Sequence, residues 1–438
     1  MKTSITGFTL VFCTSLLLAQ QHPSIHQEQA DQYRNQPPVP TEIATVFNGI
    51  DVLLDQQAGR LNGKNIALVT NHSGIDKQGR PNYERLLELE QVNLQIIFSP
   101  EHGLFGEAAA GEKVKYGKEL KELPEVISLY GKIRKPTAEM LTSIDLLLYD
   151  IQDIGARFYT YISTMGLVME AAAELGIPVW ILDRPNPIRG DRFEGPLMDL
   201  SHQSFVGYYP VPIRYGLTAG ELARMIVGEK WIAALPELEI IPIQGWTRDR
   251  WFDETDLPWI KPSPNIPDLE TALIYPGMCL LEGTNVSEGR GTYQPFKRIG
   301  APWIDSHQLA QFLNKQQLPG VVFKPVEFTP VSIPGMSGKP KFQDMLCNGI
   351  EIVVTDRINF NSVATGVHLL TAIHTLYPDD FKVRTKSVNR LWGSIYLDRY
   401  FSTAKTTSAE IHESISNITD YELLTKKYRL YSSNNPNE

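Results

Sequence analysis

A carboxylate and an imidazole stand side by side in Ser99-Pro100-Glu101-His102-Gly103-Leu104-Phe105-Gly106, directly behind an apolar run. A glutamic acid at such a place can protonate a leaving oxygen, and an adjacent histidine can orient it or bind substrate. Pro100 stops the run because proline donates nothing to a strand ladder. Gly103 and Gly106 let the backbone turn tightly. A polar loop in which Glu101 merely caps the next helix fits these residues equally well. Similar polar clusters elsewhere in the chain favour the chemical reading.

Four such clusters follow apolar or aromatic stretches. In Asn71-His72-Ser73-Gly74, Asn71 and His72 suit hydrogen bonding to sugar hydroxyls, although Asn, Ser and Gly also make ordinary turns. Asp150-Ile151-Gln152-Asp153-Ile154-Gly155-Ala156-Arg157 sets Asp150, Asp153 and Arg157 just past a buried strand, with Arg157 as a fork for a carboxylate. The plain alternative is an Asp–Arg pair that pins the loop. Asp183-Arg184-Pro185-Asn186-Pro187 is stiff enough to hold Asn186 in place, or is a rigid connector. Residues 282–292 carry Glu282, Asn285, Glu288 and Arg290 in a Gly-rich loop that also reads as a surface hairpin. Tyr275 and the tryptophans Trp246, Trp251 and Trp259 could stack on sugar faces, but such residues are most often core.

Other chemistries find less support. There is no G-x-S-x-G elbow, and Ser99 beside Glu101 and His102 is not thereby a triad. No phosphate loop or G-x-G-x-x-G follows a strand, so no nucleotide cofactor is expected. A metal held by His72, Glu101, His102 and Asp150 is chemically conceivable, but these residues are scattered and no metal is assigned. No Cys/His spacing suits zinc.

The elements that must position these groups alternate. Strands are expected at 65–70, 92–98, 144–150 and 178–182, with helices at 83–90 and 160–175 between them. Buried β-rich runs alternating with helices predict a parallel sheet. In such sheets ligands bind beyond the carboxyl ends of the strands, where the polar clusters fall. Thr218 and Glu221 form a capping-box pattern ahead of a helix. A strand is expected at 238–243. Later strands are expected at 320–323 and 350–355, and helices near 307–315 and 362–376. The texture changes at 200–215. The reading is an α/β protein with a Rossmann-like domain over 45–205, a smaller α/β domain over 206–431 and a tail over 432–438.

The 438 residues are 42% hydrophobic and 21% charged, which is ample for two cores. A net charge of -9 and a pI near 5.6 argue against nucleic acid as a partner. Lys2, the apolar stretch 5–18 and Ala19 read as a signal peptide over 1–19. The apolar stretch is too short to span a bilayer, so stable membrane insertion is not expected. Cys13 lacks the small residues of a lipobox. A Gln-, Pro- and His-rich leader occupies 20–44. Export to the periplasm or the medium follows from this reading. It would permit a disulfide between Cys279 and Cys347, which could equally be buried thiols.

Taken together, Val69-Thr70-Asn71-His72-Ser73-Gly74, the 99–106 segment, Asp150 to Tyr161, Asp183-Arg184-Pro185-Asn186-Pro187 and Glu282-Gly283-Thr284-Asn285 resemble the exo-β-N-acetylmuramidases. This bacterial family was long catalogued as a domain of unknown function. The resemblance runs from about residue 46 to the end of the fold. It implies a Rossmann-like domain, a smaller C-terminal α/β domain and an active-site cleft between them. It also implies release of N-acetylmuramic acid from the non-reducing end of peptidoglycan fragments. Glu101 matches the glutamate associated with catalysis in the family and is expected to be the general acid. By inference His102 assists it. The second role falls to Asp153, Glu282 or the substrate's own acetamido group. Substrate binding is expected from Asn71, His72, Arg157, Tyr159, Asn186, Glu282, Asn285 and Arg290. Arg157 is the first choice to read the lactyl carboxylate and Arg290 the second. A cell-wall amidase or esterase, or a non-catalytic module binding peptidoglycan fragments, are the alternatives.

Overall fold

The structure, a computed structural model, describes residues 45–108, 123–403, 415 and 418–434. The expected signal peptide and leader lie outside the described residues, as does the end of the tail.

Six strands form one parallel sheet: β1 (Asn65–Thr70), β2 (Asn93–Ser99), β3 (Glu125–Ser128), β4 (Leu146–Asp150), β5 (Val179–Leu182) and β6 (Leu238–Ile241). Their order is β3-β2-β1-β4-β5-β6, the doubly wound Rossmann-like arrangement. The central strands are apolar from end to end because helices cover both faces. In β4, Leu146 to Asp150 are all buried. The helix Tyr161–Glu174 follows β4 and buries ten of its 14 residues. The expected capping box is present, with Thr218 Oγ1 accepting from Glu221 N at 3.2 Å and Glu221 Oε2 accepting from Thr218 N at 3.1 Å.

A second, antiparallel sheet holds β7 (Arg298–Ala301), β8 (Val321–Phe328) and β9 (Cys347–Val354) in the order β7-β9-β8. The helix Ser306–Asn314 packs on it and against Ser362–Leu376, which in turn packs against Leu269–Met278.

The boundary expected at 205/206 needs correction. Strand β6 docks parallel beside β5, pairing Val179 with Leu238 and Leu182 with Ile241, so the first sheet is completed only at residue 241. The two sheets also share one core. Val69, Tyr149 and Met165 belong to the same buried cluster as Ile299, Leu309 and Val363. Cys279 and Cys347 are both buried free thiols.

Candidate active site

The loop behind β2 is built to present Glu101. Gly103 N donates to Pro100 O at 3.1 Å, closing a tight turn. His102 sits at φ 71°, a left-handed conformation that is uncommon for any residue with a side chain. Its Nδ1 lies 2.7 Å from the carbonyl oxygen of Ala108, so Nδ1 carries the hydrogen and donates. Burial holds the His102 pKa below its ordinary value, against the pull of the Glu101 charge. The imidazole is therefore neutral near pH 7. Gly106, at φ 70°, must be glycine for a second reason: a Cβ there would lie 2.2 Å from Cε1 of His72. His72 in turn bonds the Lys261 carbonyl through Nε2 at 2.7 Å. It wedges this loop against the 261–263 segment.

Glu101 opens into a cavity of about 470 Å³. Thr160 Oγ1 donates to its Oε2 at 3.1 Å, from the residue preceding the helix Tyr161–Glu174. The Tyr130 hydroxyl also bonds to Glu101, and burial raises the pKa of that phenol. One wall is aromatic. Tyr159 packs edge-on against Tyr161 at 4.7 Å and Tyr275 at 6.2 Å, and Tyr275 packs against Phe296 at 4.8 Å. The Tyr161 hydroxyl donates to Pro262 O at 2.6 Å. Such a wall offers rings to the apolar face of a sugar.

More of the lining comes from the short turn Cys279–Gly283 and the following loop, next to Tyr275 and Phe296. Glu282 accepts from Arg290 at 2.6 Å. Arg290 also reaches Glu288 at 3.5 Å, and Glu288 is 2.9 Å from Lys341. Burial works against the Arg290 charge, but Glu282 and Glu288 outweigh it and raise its pKa. Glu101 and Glu282 are the acidic side chains that line the cavity among the described residues.

Two family models cover nearly all of the described fold. One, described as Exo-beta-N-acetylmuramidase NamZ, N-terminal, matches residues 66–270; its C-terminal counterpart matches 273–431. The chain belongs to the NamZ family of exo-beta-N-acetylmuramidases. It is 43% identical over 388 residues to the peptidoglycan beta-N-acetylmuramidase NamZ of Bacillus subtilis (strain 168), covering 88% of this chain and 91% of that one. It is also similar to two crystal structures of DUF1343 family proteins from Bacteroides fragilis NCTC 9343. The first has a TM-score of 0.81 at 35% identity, over 90% of this chain and all of the other. The second has a TM-score of 0.70 at 32% identity, over 89% of this chain and all of the other. The chain is thus a glycoside hydrolase of the NamZ family. The junction of the two models, between residues 270 and 273, also lies beyond the expected boundary.

In this NamZ-family fold, five of the expected site residues line the cavity: Glu101, His102, Tyr159, Glu282 and Arg290. The others do not. Asp153 is turned inward, accepting from Gly155 N at 2.7 Å and from the Tyr215 hydroxyl. Burial pushes its pKa up to about 6. Arg157 is the clearest correction. Its guanidinium is fully buried and donates to four carbonyls, of Pro196, Val211, Leu391 and Trp392, at 2.7 to 2.9 Å. With no accessible surface and no place on the cavity lining, it presents nothing to a substrate carboxylate. Asn186 bonds Leu217 O and Ile188 N. Asn285 bonds Asp380 O and Lys382 N. Asn71 accepts from Ser73, and its side chain also approaches the Tyr161 hydroxyl behind the aromatic wall. The conceivable metal set is not assembled, since Asp150 is taken up by Arg184 and Asn82. Among the described residues no three His, Cys, Asp or Glu side chains converge for a metal. Trp246 and Trp251 are core.

The sequence reading missed Tyr130, Arg134, Thr160, Tyr161, Ser263, Asn265 and Arg390, which all line the cavity. Thr160 and Tyr161 stand inside a quoted motif and carry a readable signal. Tyr130 and Arg390 have none, because long-range folding alone brings them in.

Proposed function

We propose that this chain removes N-acetylmuramic acid from the non-reducing end of peptidoglycan fragments, with Glu101 as general acid. The observation that carries this is the placement of Glu101 on a NamZ-family cavity, oriented by Thr160 and Tyr130. Glu101 gives its proton to the glycosidic oxygen as that bond breaks, so the leaving sugar departs neutral. The muramic acid ring then carries developing positive charge. Glu282, the other carboxylate on the cavity, faces that charge from a position set by Arg290, until water bonds to the anomeric carbon and gives up the proton that restores Glu101. His102, neutral and fixed through Nδ1, keeps Glu101 at the turn. The aromatic wall receives the sugar face. The apolar N-terminal stretch supports an exported enzyme acting where peptidoglycan lies.

The test is release of chromophore from a β-N-acetylmuramide and from the matching N-acetylglucosaminide, by wild type and Glu101→Gln. Wild type should release the muramide, and the variant should lose about 10²–10⁴-fold. Full activity in Glu101→Gln would remove Glu101 from the chemistry. Tight muramide binding without turnover by wild type would instead identify a binding module.

A further inference from the structure

Three guanidinium groups line the cavity, and they are not equivalent. Arg290 is already matched: with Lys341 it faces Glu282 and Glu288, two bases against two acids. Arg134 and Arg390 have no ion-pair partner among the described residues. Of these two, Arg134 is held in place. Its Cζ lies 4.3 Å over the ring of Phe205. Phe205 sits beside Tyr130, with ring centroids 6.5 Å apart. Tyr130 bonds to Glu101. A chain of contacts therefore fixes an uncompensated cation two side chains from the expected acid.

An enzyme that cleaves the bond of a terminal muramic acid must seat that sugar against its acid. Muramic acid differs from glucosamine by one group, a lactyl ether ending in a carboxylate. That anion needs a cation not already neutralised by protein acids. A guanidinium whose Cζ sits over an aromatic ring can still fork its N–H groups onto a carboxylate.

We propose that Arg134, held on Phe205, reads the lactyl carboxylate and sets the preference for muramic acid over glucosamine. This rests on the reading of the function given above. Arg134 is exposed and at the cavity rim, so its replacement leaves the fold intact, which a thermal melt would verify.

The experiment measures kcat/KM for wild type, Arg134→Gln, Arg134→Lys and Arg390→Gln. The substrates are a chromogenic β-N-acetylmuramide, the same compound with its lactyl group capped as a methylamide, and the β-N-acetylglucosaminide. Loss of a charge-assisted hydrogen bond predicts a drop of roughly 10- to 100-fold for Arg134→Gln on the free-acid muramide. Its rates on the capped muramide and the glucosaminide should stay within about twofold of wild type, well inside that range. Arg134→Lys should fall between wild type and Arg134→Gln, since it keeps the charge but loses the planar fork. If Arg134→Gln keeps the wild-type preference for free acid over methylamide, the inference is overturned. It is equally overturned if Arg390→Gln alone loses that preference. If wild type releases no muramide at all, the functional reading fails first and takes this inference with it.

Discussion

Thr160 Oγ1 lies 3.1 Å from Oε2 of Glu101, joining the residue ahead of one helix to the loop behind a strand two positions away in the sheet. The Tyr130 hydroxyl approaches the same carboxyl from the loop after β3. Glu101 is therefore located by two hydroxyls from different parts of the chain. Thr160→Val and Tyr130→Phe remove one each while keeping most of the side-chain volume. Each should lower kcat by about tenfold, the worth of one hydrogen bond to a reacting group. The double variant should lose more than either. Steady-state kinetics on a chromogenic muramide read this. An unchanged kcat in both single variants would show that Glu101 needs neither hydroxyl.

Arg157 makes the opposite case, a conspicuous arginine that the fold consumes. It ties the carbonyls of Pro196 and Val211 to those of Leu391 and Trp392 at the end of the helix Thr385–Trp392. Burial pushes its pKa down to about 9, which still leaves it charged at neutral pH. Arg157→Ala abandons four buried acceptors. It should destabilise the protein by on the order of 3–5 kcal/mol. The muramide-to-glucosaminide ratio of the remaining folded enzyme should not change. Urea unfolding with parallel kinetics checks both. A stable variant with lost selectivity would return Arg157 to the role the sequence suggested.

The sequence made the architecture readable where burial was complete. Asn65–Thr70 and Leu146–Asp150 are nearly unbroken apolar runs and stand out as buried strands. Strand β3, Glu125–Ser128, is four residues long and only half-buried at the sheet edge, so no apolar run marks it. The helix Leu269–Met278 keeps Pro276 in its last turn and so hides behind a helix-breaking residue. Among site residues, Glu101 and Asp153 look alike in sequence, each an acid just past a strand. What separates them is Tyr215, 62 residues on, and the Gly155 N–H, which draw Asp153 inward. Likewise nothing local to Arg390 shows that its helix closes the cavity.

Asp153 also makes a pH-dependent prediction. Burial raises its pKa from an ordinary carboxyl value to about 6, despite donation from Tyr215 and Gly155. Between about pH 4 and 6 the folded protein thus binds this proton more tightly than the unfolded chain. Stability from this group is full below about pH 4 and lost as pH rises through 6. Asp153→Asn removes the proton and its linkage. Urea midpoints from pH 4 to 7 should fall more steeply for wild type than for Asp153→Asn, with parallel curves above pH 7. Parallel curves throughout that range would show that Asp153 titrates as an ordinary carboxylate.

Glu282 carries the second role in the displacement proposed above, and this can be tested directly. It lines the cavity with Glu101, whereas Asp153 does not. Its carboxylate is held by Arg290 at 2.6 Å, which fixes its position toward a positive sugar ring. If it is the second catalytic group, Glu282→Ala should lose about 10²–10⁴-fold in kcat. Added azide should restore part of that rate by entering the vacated space as an anionic nucleophile. Arg290 would be left facing Glu288 alone, so the melting temperature of the variant must be measured beside its rate. The competing arrangement has the substrate's own acetamido oxygen attack the ring carbon, with Glu282 needed only to balance Arg290. That arrangement requires a loss below about tenfold, no azide rescue, and a large rate drop when the acetamido group is replaced by a trifluoroacetamido group. The two outcomes differ in both azide and substrate response, so kinetics on one variant with two substrates separates them.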